Sequence, residues 1–180
     1  AVVGTNYGLV QTSEATGIIK NNSSGKTAYT GGVVGRNLYL NSKAKIDRCG
    51  FEGTIETNGT QQVAGGVVGL NQAGVVSETY YRGLVRNGES VFGGIVGYNK
   101  GAQSNTADIY DSYFFLKEEE PAKTIYTKMA CITYQNDNST NNNMVTGCYF
   151  GGILEENKIN KNATGDNYTS QANGYLEELE

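Results

Sequence analysis

The residues of this 180-residue chain that could do chemistry are carboxylates, thiols and phenols, because histidine is absent. Without histidine, the usual catalytic triads, imidazole acid–base pairs and histidine metal sites are excluded. Two carboxylate groupings remain: Asp108 and Asp111 flank an Ile-Tyr pair, and Asp47 adjoins Arg48. Neither grouping supplies the several converging oxygens that calcium requires. We therefore expect turn carboxylates, with no catalytic residue and no cofactor; calcium is possible but unsupported by the sequence.

The thiols are Cys49, Cys131 and Cys148. Their number is odd and no Cys-x-x-Cys pair occurs, so the sequence gives zinc no support. No histidine is present to activate a nucleophilic thiol. We expect all three cysteines to be small buried residues.

The phenols of interest are Tyr80, Tyr81, Tyr113 and Tyr149, which lie in the aromatic stretches "TYY", "SYF" and "CYF". In an extended strand, one of Tyr80 and Tyr81 faces inward and the other outward. Stacked aromatic side chains usually stabilise a sheet, whereas an exposed aromatic stripe can bind a ligand such as a sugar. Both interpretations stay open for these tyrosines.

Composition narrows the class of protein. The chain has 25 glycines, a single proline, a net charge of −4 and a pI of about 5.0. Glycine, threonine, asparagine and β-branched residues fill most windows and disfavour long helices. Without a basic stripe, nucleic acid is a poor candidate partner. No apolar run in these residues approaches the roughly 20 that span a bilayer.

A repeated phrase supplies the elements that position these side chains. "AVVGTN", "GGVVGRN", "GGVVGLN" and "GGIVGYN" align on Gly4, Gly35, Gly69 and Gly97, at spacings of 31, 34 and 28 residues. A degenerate fifth copy, "ACITYQN", occupies 130–136 and lacks the glycines. Each copy ends in an asparagine: Asn6, Asn37, Asn71, Asn99 and Asn136. Uneven periods of this length are typical of a solenoid with loop insertions.

Short apolar runs between turn residues indicate strands that are buried on one face. One coil cannot bury that face alone, but stacked coils form a continuous core. We expect three strands per coil, with Val33, Val67 and Ile95 stacked upon one another. The asparagines are predicted to form an internal hydrogen-bonded ladder at a corner, and Gly35, Gly69 and Gly97 to permit close backbone approach.

The predicted fold is therefore all-β, a parallel β-solenoid of about five irregular coils of 28–37 residues. The predicted coils span 1–30, 31–64, 65–92, 93–129 and the degenerate 130–154. Residues 155–180 are interpreted as a polar cap or a linker to a further domain. The first copy starts within the repeat, so we expect part of a longer chain. The variable segments 20–30, 56–64, 86–92 and 117–129 are predicted to form loops on one face.

The same alignment places the chemical residues relative to one another. Cys49 and Cys148 fall at equivalent positions three coils apart, about 14 Å, which is too far for a disulfide. Asp47 and Asp111 are interpreted as equivalent positions two coils apart, about 10 Å.

The blocks "GGVVGLNQAGVV" and "GGIVGYNKGA" resemble the GLUG repeat, and the resemblance covers roughly residues 1–154. Proteins with such repeats are large secreted or surface-anchored bacterial proteins, including adhesin-like proteins and some immunoglobulin A peptidases. The resemblance implies an extracellular setting, on a bacterial surface or secreted. It carries over no catalytic residue.

Three functions follow as hypotheses. The first is a non-catalytic adhesion module that binds host glycan or protein through its variable loops. The second is a passive stalk or spacer of a large surface protease or adhesin. The third, a polysaccharide-active β-helix enzyme, is disfavoured because no carboxylate cluster is predicted.

Overall fold

The computed structural model describes residues 2–23, 27–87, 90–117, 129–137, 142–152 and 174–176. Within these ranges all regular structure is β-strand. The strands recur in a fixed order of four per coil, and each belongs to one of four parallel sheets, here called A, B, C and D.

The strands of each coil are given in the order A, B, C, D. Coil one contains β1 (Val3–Asn6), β2 (Leu9–Gln11), β3 (Glu14–Asn21) and β4 (Ala28–Gly31). Coil two contains β5 (Val34–Leu38), β6 (Lys45–Asp47), β7 (Gly50–Thr57) and β8 (Gln62–Gly65). Coil three contains β9 (Val68–Gln72), β10 (Val75–Ser77), β11 (Tyr80–Asn87) and β12 (Val91–Gly93). Coil four contains β13 (Val96–Lys100), β14 (Asp108–Tyr110), β15 (Tyr113–Leu116) and β16 (Met129–Ala130).

A fifth coil begins with β17 (Thr133–Asp137), β18 (Val145–Thr146) and β19 (Tyr149–Gly152), and β20 (Gly174–Leu176) pairs with β19 as a further strand of sheet C. Every strand pairs in parallel with its equivalent in the next coil. The predicted parallel β-solenoid is confirmed, with four complete coils and the start of a fifth. Of the predicted cap or linker, 155–180, only β20 lies within the described residues.

The prediction of three strands per coil is wrong, because each complete coil has a fourth strand. The strands of sheet D lie in or beside the segments that were interpreted as variable loops. They are only two to four residues long and carry mixed polar and apolar sequences such as "AYTG" and "QVAG". Strands this short lack enough residues to show an alternating pattern, so the sequence signal is weak.

The four segments predicted as variable loops all connect sheet C to sheet D, at one corner of each coil, but variation in length is not confined to that corner. Between sheets A and B the connection is residues 73–74 in coil three but 39–44 in coil two and 101–107 in coil four. Connections between sheets C and D vary in length as well. Most of that second set, including 24–26, 88–89 and 118–128, lies outside the described residues. Length therefore varies at two corners of the solenoid.

The core runs along the solenoid axis as columns of equivalent residues. Val33, Val67 and Ile95 are fully buried in one column, as predicted. On sheet C, the rings of Phe51, Tyr81 and Phe114 form an aromatic column with successive centroids 5.7 Å apart. Since each side chain packs against its equivalents above and below, a single coil is not an independent unit.

The paired glycines make room where the chain turns from sheet D into sheet A. A Cβ on Gly65 would lie 2.0 Å from the carbonyl oxygen of Val68, and one on Gly66 would lie 2.1 Å from that of Gly94 in the next coil. The Gly66 Cβ would also lie 2.5 Å from the Cβ of Tyr81. Only glycine fits both positions, which explains why the phrase "GG" recurs.

Candidate functional site

The five repeat asparagines form one continuous hydrogen-bonded column inside the solenoid. Each Nδ2 donates to the Oδ1 of the next coil's asparagine, and all four of these bonds are 2.8 Å long. Asn37, Asn71, Asn99 and Asn136 are fully buried, and Asn6 is nearly so. This asparagine ladder (Asn6, Asn37, Asn71, Asn99 and Asn136) therefore runs in one direction, with donors pointing toward the C-terminal coils.

Four of the ladder amides, those of Asn6, Asn37, Asn71 and Asn99, also hold the corner between sheets A and B. The second bond from Nδ2 goes to a backbone carbonyl, such as that of Ala44 from Asn37 and that of Ala107 from Asn99. Asparagine suits this position because one short side chain supplies both donors and the acceptor. The amides are thus engaged within the protein, and their role here is structural.

The ladder glycines lie against the backbone of neighbouring strands. A Cβ on Gly35 would be 2.8 Å from the carbonyl oxygen of Gly4, one on Gly69 would be 2.6 Å from the nitrogen of Thr30, and one on Gly97 would be 2.6 Å from the carbonyl oxygen of Ala64. At Gly69 and Gly97 sheet A therefore approaches sheet D, and at Gly35 it approaches its own strand β1, at distances that no other residue type allows without a shift.

The four tyrosines divide between the two sides of sheet C. Tyr81 is fully buried, and its hydroxyl donates to the carbonyl oxygens of Leu84 (2.6 Å) and Gly53 (3.2 Å). Tyr80, Tyr113 and Tyr149 instead share one outward register position. Tyr113 and Tyr149 are each 39% exposed. These three residues are called the tyrosine stripe.

Stacking decides which part of the stripe faces solvent. The rings of Tyr80 and Tyr113 are nearly parallel, at 9°, with centroids 5.3 Å apart. The facing sides of these two rings therefore cover each other, so Tyr80 and Tyr113 present ring edges and hydroxyl groups more than faces. The Glu14 carboxylate accepts a hydrogen bond from Tyr80, and burial followed by this contact raises the pKa of that phenol. With its pKa raised, Tyr80 stays protonated and neutral at physiological pH.

Charged residues flank the tyrosine stripe in the adjoining outward column. The guanidinium of Arg82 lies 5.8 Å from the ring centroid of Phe115, a cation–π contact. The Glu52 carboxylate accepts a 2.5 Å bond from the ammonium of Lys117, and this contact holds the pKa of Glu52 below its usual value. The outer surface of sheet C thus combines aromatic edges with both signs of charge.

The predicted equivalence of Asp47 and Asp111 is wrong. Pairing aligns Asp47 with Ser77 and Ser77 with Tyr110, so Asp111 follows one position later. At that later position every complete coil turns from sheet B to sheet C through a residue with positive φ, including Arg48 (51°) and Asp111 (46°). The prediction placed Cys49 opposite Tyr113. In the structure Cys49 is equivalent to the residue before Tyr113, so the predicted alignment of the two aspartates was shifted by one position.

Asp47 is almost buried and is fully engaged by its neighbours. Its oxygens accept bonds from the Ser77 hydroxyl (2.7 Å), the Gln11 amide (3.1 Å) and the Lys45 ammonium (3.0 Å). Arg48 adds a contact at 3.2 Å. The Ser77 hydrogen bond, followed by Lys45, lowers the pKa of Asp47 to about 2.

Asp108 is held in a similar way on the same sheet. It accepts bonds from the Lys43 ammonium (2.9 Å), the Thr106 hydroxyl (2.7 Å) and the Met144 backbone N–H (3.1 Å). Such carboxylates stabilise turns and strand edges.

A third buried carboxylate, Glu56 on sheet C, was not singled out from the sequence. It lies between two cations of neighbouring coils, Lys20 at 2.9 Å and Arg86. The hydrogen bond from Lys20 is the main cause that lowers the pKa of Glu56. The ion pairs of Glu56 could have been predicted from the sequence, because the three charged residues occupy one column once the coils are aligned.

The three cysteines are buried, and none of them forms a disulfide. Cys49 and Cys148 occupy equivalent positions, because the residues that follow them align through Tyr80 and Tyr113. Burial raises the pKa of the Cys148 thiol to about 11. The thiolate is the reactive form, so this sulfur is unreactive in the folded protein.

Within the described ranges, no three residues of the types His, Cys, Asp or Glu come close enough together to hold a metal ion. None of the same residues forms a helix long and apolar enough to cross a membrane. Comparison of the chain with protein-family models, with curated proteins and with solved structures found no match.

Proposed function

We propose that this chain is a non-catalytic adhesion module of a bacterial surface or secreted protein, which binds host glycan or protein. The observation that carries the proposal is the exposed tyrosine stripe on sheet C. Tyrosine is enriched at protein interfaces, because its ring is rigid and its hydroxyl can pair with a polar ligand. The extracellular setting rests on the resemblance of the repeats to GLUG repeats.

The outward column of sheet C that contains the tyrosine stripe is not needed for coil stacking in every coil. This favours a binding role for the column. In coils one and two the stripe position holds Glu14 and Gly50, and the tyrosines begin in coil three. The neighbouring inward column, in contrast, holds apolar or aromatic residues in every complete coil: Ala15, Phe51, Tyr81 and Phe114. A surface that differs between coils while the interior does not is what a binding face requires.

The ion pairs formed by the buried carboxylates support the non-catalytic part of the proposal. Asp47, Asp108 and Glu56 each bind cations of the protein itself. A glycoside hydrolase needs two carboxyl groups that face each other across the substrate, roughly 5–10 Å apart. Asp47 and Glu56 also have a lowered pKa, and a carboxylate with a lowered pKa is a poor general acid.

A binding screen of the folded protein against glycans and host matrix proteins tests the proposal. We expect a saturable ligand whose affinity falls at least tenfold, about 1.4 kcal/mol, in the double variant Tyr113→Ser and Tyr149→Ser. Tyr7→Ser is the matched control, because Tyr7 is 50% exposed but lies between sheets A and B. Equal loss in this control would place the binding elsewhere.

A passive spacer is the second candidate function, and the asparagine ladder favours it. Four buried side-chain bonds in series, together with four parallel sheets, connect every coil to the next. Such a stack suits a stiff connector. The absence of any ligand across a broad panel, with a folded β-rich protein, would favour this role.

A further inference from the structure

The guanidinium of Arg82 is an exposed cation beside the tyrosine stripe. Arg82 lies in the adjoining outward column of sheet C, between Glu52 and Phe115. Among the residues that the structure describes, its guanidinium contacts the ring of Phe115 and forms no hydrogen bond or ion pair. A guanidinium has five N–H donors, so these donors are available to an acceptor from outside the chain.

The contact with Phe115 holds this guanidinium in place. The two residues pair in register on β11 and β15, and the guanidinium carbon lies 5.8 Å from the ring centroid. A cation–π contact of this kind stabilises one orientation of the arginine side chain. Binding a ligand then costs less side-chain entropy than it would for an arginine that moves freely.

Arg82 and the tyrosine stripe are close enough to bind one ligand together. Tyr80 and Arg82 are two residues apart on β11 and point outward, so their Cα atoms are roughly 7 Å apart. Tyr80 pairs with Tyr113 as Arg82 pairs with Phe115, so the four residues occupy the corners of one rectangle. Burial raises the pKa of the Tyr113 phenol and the charge of Arg82 opposes this rise, which shows that the two groups are neighbours.

The carboxylates of the same surface already have partners. Glu52 accepts a 2.5 Å bond from the ammonium of Lys117, and Glu14 accepts a hydrogen bond from Tyr80. A cationic ligand would have to displace these donors. An anionic ligand can bind to Arg82 without breaking either contact, so this surface favours an anion.

The surroundings of Arg82 favour a sugar over a peptide as the carrier of that anion. Strand β11 pairs with β7 on one side and with β15 on the other, so a peptide cannot add to the sheet here as a strand. Tyr80 and Tyr113 present ring edges and hydroxyl groups next to the guanidinium. A tyrosine hydroxyl can donate to and accept from the hydroxyl groups of a sugar.

We propose that the outer surface of sheet C binds an anionic glycan and that Arg82 determines this specificity. The guanidinium donates two N–H bonds to a carboxylate or sulfate group of the glycan. The hydroxyl of Tyr113 forms a hydrogen bond with an adjacent sugar hydroxyl. This inference rests on the proposed adhesive function and names the class of its ligand.

Glycan pairs that differ only in their charged groups test the inference. The carboxylate probes are sialyllactose and a hyaluronan tetrasaccharide, each compared with its carboxyl-reduced form. The sulfate probe is a keratan sulfate tetrasaccharide, compared with its desulfated form. Biolayer interferometry with the whole chain gives the affinities. We expect the charged member of at least one pair to bind saturably and at least tenfold more tightly than its neutral counterpart.

Two arginine variants locate the effect. Arg82→Gln should weaken binding of the charged glycan at least tenfold and leave binding of the neutral form unchanged. Arg36→Gln is the matched control, because Arg36 is also exposed and lies 5.8 Å from the ring centroid of Tyr29, but on sheet A. It should keep the preference for the charged form. Far-UV circular dichroism checks the folding of both variants.

Equal binding of charged and neutral glycans, or a preference that Arg82→Gln retains, would overturn this inference and leave the adhesive function standing. An equal loss in Arg36→Gln would also overturn it, since net charge would then explain the preference. Binding to host matrix proteins alone would refute the glycan as ligand but keep adhesion. If neither the glycans nor the matrix proteins bind to the folded chain, the adhesive function and this inference both fail.

Discussion

Removing one rung from the middle of the asparagine ladder should cost far more stability than removing a similar bond from the surface. Asn71 is fully buried, donates to Asn99 (2.8 Å) and Gly74 (3.1 Å), and accepts from Asn37 (2.8 Å). Asn71→Ala therefore deletes three hydrogen bonds of about 1 kcal/mol each. It also leaves Asn99 Oδ1 without its ladder donor in a buried site, so we expect a total loss of about 3–5 kcal/mol.

Asn58→Ala is the matched control. Asn58 donates to Asn22 in the preceding coil at 3.0 Å, so it forms the same side-chain bond between coils, but it is exposed to solvent. Water replaces the lost partner there, and we expect a change below about 1 kcal/mol. Urea unfolding followed by far-UV circular dichroism gives both free energies from the linear dependence on denaturant.

Asn71→Asp separates the effect of hydrogen bonding from that of volume. The side chain keeps its size but turns an acceptor toward Asn99 Oδ1 and places a charge in a buried site. We expect a loss at pH 7 at least as large as that of Asn71→Ala, and a smaller one at low pH, where the protonated carboxyl can donate. If Asn71→Ala and Asn58→Ala cost the same, the ladder adds nothing beyond packing and this reasoning fails.

Three further predictions test the corners and the buried groups. Asp47→Asn should make the stability of the protein depend less on pH in acid. Because its pKa is lowered, Asp47 stabilises the folded protein above about pH 4, and this stabilisation is lost as the pH falls toward 2. Melting temperatures measured at pH 2–5 should therefore fall more steeply for the wild-type chain than for the variant. Equal slopes would contradict it. Glu78→Gly should raise stability by about 0.5–1 kcal/mol in urea unfolding, because exposed Glu78 has φ 52°, whereas Gly66→Ala should destabilise, because its Cβ would lie 2.1 Å from a backbone oxygen. Opposite signs would refute this account of the corners. The three buried thiols should react with a thiol-specific reagent only after urea is added, so rapid labelling of the folded protein would show that burial does not protect them.

The sequence predicted the parts of the fold in which every coil faces the same physical constraint. The ladder asparagines and the stacked valines recur because each one contacts its own equivalents above and below. Gly66 recurs because the next coil's backbone passes 2.1 Å from its missing Cβ. Because the same packing constraint applies in each coil, the same residue type recurs, and the length of the repeat can be identified from the sequence alone.

Two features of the fold were not predicted, each for a physical reason. The strands of sheet D, such as Val91–Gly93, are too short to show an alternating pattern, so they were interpreted as loop. The corner between sheets B and C is turned by different residue types, including Glu78 and Asp111, all with positive φ. The four complete coils have Thr12, Arg48, Glu78 and Asp111 at this corner, and only the fifth coil has a glycine, Gly147. No repeated glycine therefore marked the turn, and the predicted alignment of Asp47 was shifted by one position.

The same reasoning explains why function is harder to predict here than fold. Residues that recur in every coil contact their equivalents in the neighbouring coils, so their side chains are not available to bind a ligand. Binding capacity must therefore reside in outward columns whose residue types change along the axis. The column that passes from Glu14 through Gly50 to Tyr80, Tyr113 and Tyr149 changes in this way, whereas its inward neighbour remains apolar at Phe51, Tyr81 and Phe114. In a solenoid, the departures from the repeat are thus the first place to search for a ligand-binding surface.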